Sequence, residues 1–222
     1  MFEFFLLAIV GVIVAAYPDK YYGIDVSAPT TTSQFKCLRA ANLSFAIVRV
    51  FRSNGVVDAN AAQTIANAQA AGVRTDGYIF PCPLCSTSAK QQITTLVAAL
   101  NASQTMIGTL WFDIEQAQLY WHQDVSKNQQ FLEDMIGTCN SLGISFGIYS
   151  NWVSWPAVFG SSYAYPMRPL PPLWYPHYDG KPVYSDFKPF GGFTAGDIDI
   201  KQFSDKGAKC GASYDINWRA VE

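Results

Sequence analysis

Gly108-Thr109-Leu110-Trp111-Phe112-Asp113-Ile114-Glu115 decides the fold. Leu110 to Glu115 reads as a buried strand that ends in two carboxylates. Side chains alternate faces along a strand, so Asp113 and Glu115 are expected to point the same way. Two acids side by side at the end of an apolar strand disfavour each other's ionisation, so one should hold a proton near neutral pH. A protonated acid beside an ionised one is the arrangement that glycoside cleavage uses.

Outward from this strand, strand-like and helix-like segments alternate. Upstream, strands are expected at Tyr21 to Val26, Phe45 to Phe51 and Thr75 to Phe80. Between them lie a short helix capped by Ser33, an Ala-rich helix capped by Asp58 and stopped by Gly72, and a helical stretch from Ser88 to Asn101. Downstream, Ser126 to Leu142 sets Phe131, Met135 and Cys139 on one helix face and stops at Gly143. Ile144 to Tyr149 is the fifth strand. From Asn151 to Pro189 the chain is rich in Pro, Tyr and Trp, and long helices disappear. Leu173 to Tyr178, Ile198 to Phe203 and Tyr214 to Trp218 complete about eight strands. Repeated strand–helix units imply a parallel sheet. The expected fold class is therefore α/β: an irregular (β/α) barrel with its helices reduced in the last third.

In such a barrel, chemistry gathers at the C-terminal ends of the strands. Asp25 closes the first strand, Asp113 and Glu115 the fourth, and Asp215 sits in the last. Strands one and eight are neighbours in a closed barrel, so the four carboxylates should converge on one bowl. Alone, Asp25 could cap a turn and Asp215 could pair with a Lys or Arg. Four carboxylates could also hold a hard cation; with no run of close acidic ligands, catalysis is the better reading, and no metal or cofactor is expected. His122 and His177 are weaker candidates as bases. His177, in Trp174-Tyr175-Pro176-His177-Tyr178, is placed for substrate contact. There is no phosphate loop and no Gly-x-Ser-x-Gly nucleophile elbow.

Phe4 to Ala16 is an apolar run of thirteen residues ending Val14-Ala15-Ala16. It is too short to span a bilayer and ends in a small-residue cleavage pattern. Residues 1–16 are read as a secretory signal peptide, though without the usual basic residue, and residues 17–222 as one catalytic domain. The formal charge of -2 includes Glu3, and no basic stripe is present, so nucleic acid is not an expected partner. A secreted chain, or one delivered to a phagosomal or lysosomal compartment, permits disulfides. Cys82-Pro83-Leu84-Cys85 lacks a second Cys pair for zinc. In a closed barrel the first helix adjoins the last strand, which predicts a Cys37–Cys210 bridge. Cys82 and Cys85 then pair with each other, or one of them with Cys139, leaving one free thiol. Asn42-Leu43-Ser44 and Asn101-Ala102-Ser103 are glycosylation sequons.

Gly23-Ile24-Asp25-Val26-Ser27, Asp113-Ile114-Glu115, Gly147-Ile148-Tyr149-Ser150, Leu173-Trp174, and Lys201-Gln202-Phe203 followed by Tyr214-Asp215-Ile216-Asn217 form an ordered set along the chain. This set resembles the glycoside hydrolase family 25 lysozymes, the Chalaropsis-type muramidases. Cys37 and Tyr78-Ile79-Phe80-Pro81-Cys82 resemble the protist and nematode branch. The resemblance implies a flattened barrel that cleaves the β-1,4 bond between N-acetylmuramic acid and N-acetylglucosamine in peptidoglycan. It implies Glu115 as general acid and Asp113 as the residue orienting the substrate acetamide, with Asp25 and Asp215 lining the site. It further implies Tyr78, Tyr149 and Trp174 as residues shaping the sugar subsites. The chain is expected to act as a monomer. Lys201-Gln202-Phe203 departs from the bacterial Trp-Gln-Tyr. A chitinase-type barrel would carry a further Asp two positions before Asp113, where this chain has Trp111. A non-catalytic sugar-binding barrel would lack the acid, and Glu115 is present.

Overall fold

The computed structural model describes residues 20–220. Residues 1–16, expected from the sequence to be a signal peptide, lie outside the described residues. Leu110 to Asp113 forms a strand whose side chains alternate strictly between two apolar layers. Leu110 and Phe112 face a core shared with the surrounding helices, and Trp111 faces inward among Phe45, Ile47, Tyr78, Tyr149, Trp174 and Ile200. The two-residue period therefore turns Asp113 inward as well.

Along the chain the elements are β1 (Lys20–Val26), α1 (Thr32–Ala40), β2 (Leu43–Arg52), β3 (Val56–Val57), α2 (Ala61–Ala70), β4 (Arg74–Ile79), α3 (Ala89–Ala102) and β5 (Leu110–Asp113). There follow α4 (Ala117–Tyr120), α5 (Val125–Leu142), β6 (Phe146–Tyr149), α6 (Ser154–Phe159), β7 (Leu173–Pro176), β8 (Ile198–Lys209) and β9 (Ala212–Ala220). Strands β1, β2, β4, β5, β6, β7 and β8 pair in parallel, in that order. β9 pairs antiparallel with both β8 and β1 and closes an eight-stranded barrel. β3 is a short antiparallel addition to β2.

The all-parallel expectation fails at this closure. Too few residues separate β8 from β9 for a parallel crossover, which needs a dozen or more. The connection is instead a two-residue hairpin at Cys210 and Gly211, with φ of +59° and +71°. Positive φ at both central positions matches the right-handed twist of the flanking strands. The hairpin tip runs past the end of β1 and docks on α1. Cys37 and Cys210 are bonded there, with Cα atoms 5.9 Å apart, and the Gln34 amide donates to the Gly211 carbonyl at 2.7 Å. Cys82 pairs with Cys85, and Cys139 is a buried free thiol.

Other boundaries shift for local reasons. Thr31, not Ser33, caps α1, in a reciprocal capping box with Gln34. Asp58 does not cap α2: its carboxylate accepts from the Asn60 backbone and from Arg49 Nε. Ser88 and Gln91 box the start of α3, and Gly143 ends α5 at φ +66°. The barrel interior is filled by large aromatic rings, which leaves little room for anything else. At Gly147 a Cβ would lie 2.4 Å from the Trp111 ring, so the closeness of β6 to that indole depends on glycine. Among the described residues no helix is long and apolar enough to cross a membrane.

Candidate active site

The interior aromatics stop one layer below the C-terminal rim, and polar groups take over. Asp25 of β1 lies opposite Asp215 of β9 in the strand register, although the two belong to opposite ends of the chain. β9 runs antiparallel, so its beginning, not its end, reaches the rim. Gln202 and Asn217 link these acids. Asp25 Oδ2 accepts from Gln202 Nε2 and from Asn217 Nδ2, both at 2.8 Å. Gln202 Nε2 also donates to Asp215 Oδ2 at 3.2 Å. On its other side Gln202 Oε1 accepts the hydroxyls of Tyr149 (2.7 Å) and Tyr178 (3.0 Å). Trp174 Nε1 donates to Asn217 Oδ1 at 2.7 Å. The amides of Gln202 and Asn217 therefore have fixed orientations, each with its nitrogens toward carboxylate.

The expected strand end at Glu115 moves back to Asp113. Ile114 N–H still bonds the Tyr149 carbonyl, but Gln116 has φ +50° and turns the chain away. Asp113 is buried, whereas Glu115 is half-buried at the mouth. Asp113 Oδ1 is buried with no hydrogen-bond partner. Such an atom is costly unless something completes it.

Burial raises all four acids, and charge repulsion adds to it at Asp25, Asp113 and Asp215. Asp25 is pushed from 3.8 to about 7 by burial and then by Asp215, against the pull of its two amide donors. Asp215 is pushed to about 6 by burial, then by Asp205 and Glu115. Asp113 is held well above the carboxylate range by burial, then by the charges of Glu115 and Asp25; Arg49 acts the other way. Glu115 is raised by burial, with the Gln116 hydrogen bond opposing. Sequence reasoning has burial and the neighbouring Asp113 both raise Glu115. In the structure Glu115 owes its shift to burial, and Asp113 is the one that feels its neighbour's charge.

The Asp25 shift has a consequence for stability. Because its folded-state pKa is raised, its contribution favours the fold below about pH 4 and is lost as pH rises toward 7. Asp25→Asn keeps an oxygen for both amide donors and removes the charge. We expect the variant to melt above the wild type at pH 7.5, by on the order of a few kcal/mol, and the gap to shrink by pH 4. Thermal denaturation at the two pH values checks this; a gap independent of pH would show that Asp25 ionises freely.

The other expected site residues divide into floor and wall. Tyr78, Tyr149 and Trp174 are buried, with Tyr149 and Trp174 packed edge-to-face at 4.5 Å. They form the floor under the acids. His177 lines a cavity of about 360 Å³ with Glu115, Tyr149, Asn151, Trp152, Pro176 and Tyr178. His122 is tied to the Pro83 carbonyl at 3.1 Å, away from the acids. Sequence reasoning quotes Gln202, Asn217 and Tyr178 within its motifs but gives neither them nor Trp152 a role of its own. Alternation from Asp215 does place Asn217 on the same face. A larger cavity, about 680 Å³, lies at the opposite end of the barrel between Arg74, Tyr184, Asp197 and Arg219. It contains none of the four acids, and that end of such barrels serves stability.

The chain matches the family model described as "Lys-1: Lysozyme-like protein 1" over residues 17–203. It is 38% identical to "Probable GH family 25 lysozyme 2" of Dictyostelium discoideum over 197 residues, covering 88% of this chain and 89% of that one. It is 41% identical to "Lysozyme-like protein 5" of Caenorhabditis elegans over 200 residues, covering 88% and 90%. Its fold superposes on a muramidase from Trichobolus zukalii with a TM-score of 0.72 at 19% identity, covering 91% of this chain and 94% of that one. With a family match over most of its length and relatives above 30% identity, this chain belongs to the lysozyme-like proteins of glycoside hydrolase family 25.

Proposed function

We propose that the protein is a lysozyme that hydrolyses the β-1,4 bond between N-acetylmuramic acid and N-acetylglucosamine in bacterial peptidoglycan. The observation that carries this reading is the bowl of four carboxylates at the open end of the barrel, with Asp25 and Asp215 bridged by Gln202 and the buried Asp113 Oδ1 left without a partner. Glu115, half-buried and raised, is the general acid that protonates the leaving sugar oxygen. Asp113 orients the substrate: its unpartnered Oδ1 is a ready acceptor for the N–H of a sugar acetamide. The acetamide oxygen is then turned toward the anomeric carbon. Asp25 and Asp215, bridged by Gln202, shape the far wall. Below about pH 6 they carry less charge, which suits work in an acidic compartment. Tyr78, Tyr149 and Trp174 make the floor, while His177 and Tyr178 contact the glycan from the side.

Identification of the reducing-end sugar released from purified peptidoglycan tests the reading. Muramic acid at the new reducing end is expected; glucosamine there would assign a different bond.

The two disulfides are consistent with an extracellular or lysosomal protein. Cleavage after Ala16 would deliver the chain there as a monomer. Mass spectrometry of material exported by the native host should find an N-terminus near Tyr17; an intact Met1 would overturn the signal-peptide assignment.

A further inference from the structure

Just outside the barrel wall, beside the cleft, lies a part-buried ion cluster in which Lys201, Asp179 and Asp186 have no part in the catalytic reading. Lys201 of β8 is fully buried and points away from the bowl. Its ammonium lies 2.7 Å from Asp186 Oδ1 and 3.0 Å from Asp179 Oδ1. The other oxygen of Asp186 is hydrogen-bonded to His177 Nδ1. Donor atoms of His177, Asp179 and Asp186 lie within 4.8 Å of one another, a spacing that could hold a cation. That place is filled by the lysine, which already binds both carboxylates.

The chemistry of the cluster settles which nitrogen of His177 carries hydrogen. Burial alone would raise Asp186, but the hydrogen bonds from Lys201 and His177 outweigh it and hold Asp186 lowered, hence ionised. An ionised carboxylate only accepts, so His177 Nδ1 must donate. In the neutral ring Nε2 is then a bare acceptor. Among the described residues no protein group bonds Nε2. The ring packs edge-to-face on Trp152 at 5.0 Å, and the same two residues line the cavity with Glu115.

We propose that Asp186 is a positioning residue: backed by the Lys201 ammonium, it holds the His177 ring by Nδ1 so that Nε2 is presented to the cleft for a hydrogen bond with a glycan hydroxyl, accepting when the ring is neutral and donating when it is protonated. Asp186 itself touches no substrate. The inference rests on the glycan reading of the cleft. It adds a specificity element assembled from three separated segments, β7's exit, the loop above it and β8.

The test uses Asp186→Asn, His177→Ala and the double variant. Asp186→Asn leaves Lys201 paired with Asp179, and His177 is part-exposed, so both should fold. The chain has two histidines, so nitrogen NMR of the imidazoles, with His177→Ala as the assignment control, reads the tautomer directly at a pH where both rings are neutral. Wild type should show His177 protonated on Nδ1 alone; Asp186→Asn should lose that single tautomer. On soluble peptidoglycan fragments each single variant should raise KM roughly two- to tenfold, the worth of one hydrogen bond, with kcat within twofold. The double variant should be no worse than His177→Ala. An unchanged tautomer or an unchanged KM in Asp186→Asn would overturn the positioning role. So would a loss confined to kcat and accompanied by a lower melting temperature. A zinc titration that shifts His177 in wild type but not in Asp186→Asn would assign a cation site instead. If wild type fails to cut peptidoglycan, the lysozyme reading falls, while the tautomer measurement still decides whether Asp186 holds the ring.

Discussion

Glu115→Gln should reduce peptidoglycan hydrolysis by roughly 10²–10⁴-fold, the usual worth of a general acid. The substitution keeps the size of the side chain and an oxygen for the contact with Gln116. It removes only the proton that the leaving sugar needs. Glu115 is half-buried and makes no ion pair among the described residues, so the melting temperature should stay level or rise slightly. The pH profile sharpens the test. Because burial raises Glu115, wild-type activity should fall as pH rises through that raised value. The residual activity of the variant should lack this limb. Retention of activity within threefold of wild type would remove Glu115 from the mechanism and return attention to Asp113, the more deeply buried member of the pair.

Replacing both Cys37 and Cys210 by Ser should cost the fold about 5 kcal/mol at most in the chain-entropy model, since the bridge spans 173 positions. For a protein of this size that corresponds to a drop of about 10 °C or more in Tm. The Cys82–Cys85 bridge spans three positions, and the same relation gives about 2 kcal/mol for its loss. The ordering of the two double variants in thermal denaturation is therefore the measurement. A larger loss from Cys82 and Cys85 would mean that native-state packing around the β4 exit outweighs the long-range constraint.

What could be read from the sequence is whatever a two-residue period carries. Leu110-Trp111-Phe112-Asp113 alternates between two apolar layers, so the inward turn of Asp113 follows from the letters. The same rule places Asp215 and Asn217 together. The barrel closure brings Cys37 to Cys210, so that bridge is readable once the strand count is known. Other features depend on contacts without a sequence period. Lys201 looks like a surface residue in an apolar strand, yet it is fully buried because Asp179 and Asp186 fold over it from an irregular Pro- and Tyr-rich loop. The antiparallel last strand was legible only as an arithmetic of connection length, since Cys210-Gly211 is not a common hairpin pair. The source of the Glu115 shift depends on how deep each acid sits, and alternation does not encode depth.

The antiparallel closure by β9 also sets an order in time. Synthesis delivers Asp25 well before Asp215 and Asn217, and the ladder between β1 and β9 cannot form until both strands exist. Before that moment β1 and β8 present open edges, and Asp25 lacks one of its amide donors and its partner acid. From the addition of Glu115 until that of Asp215 and Asn217, a nascent chain therefore carries its acid without a completed bowl around it. A ribosome stalled anywhere before Ala212 yields a chain with no closing strand, exposed to quality control and without a complete active site. Lytic competence is in this sense a checkpoint on having made the whole barrel.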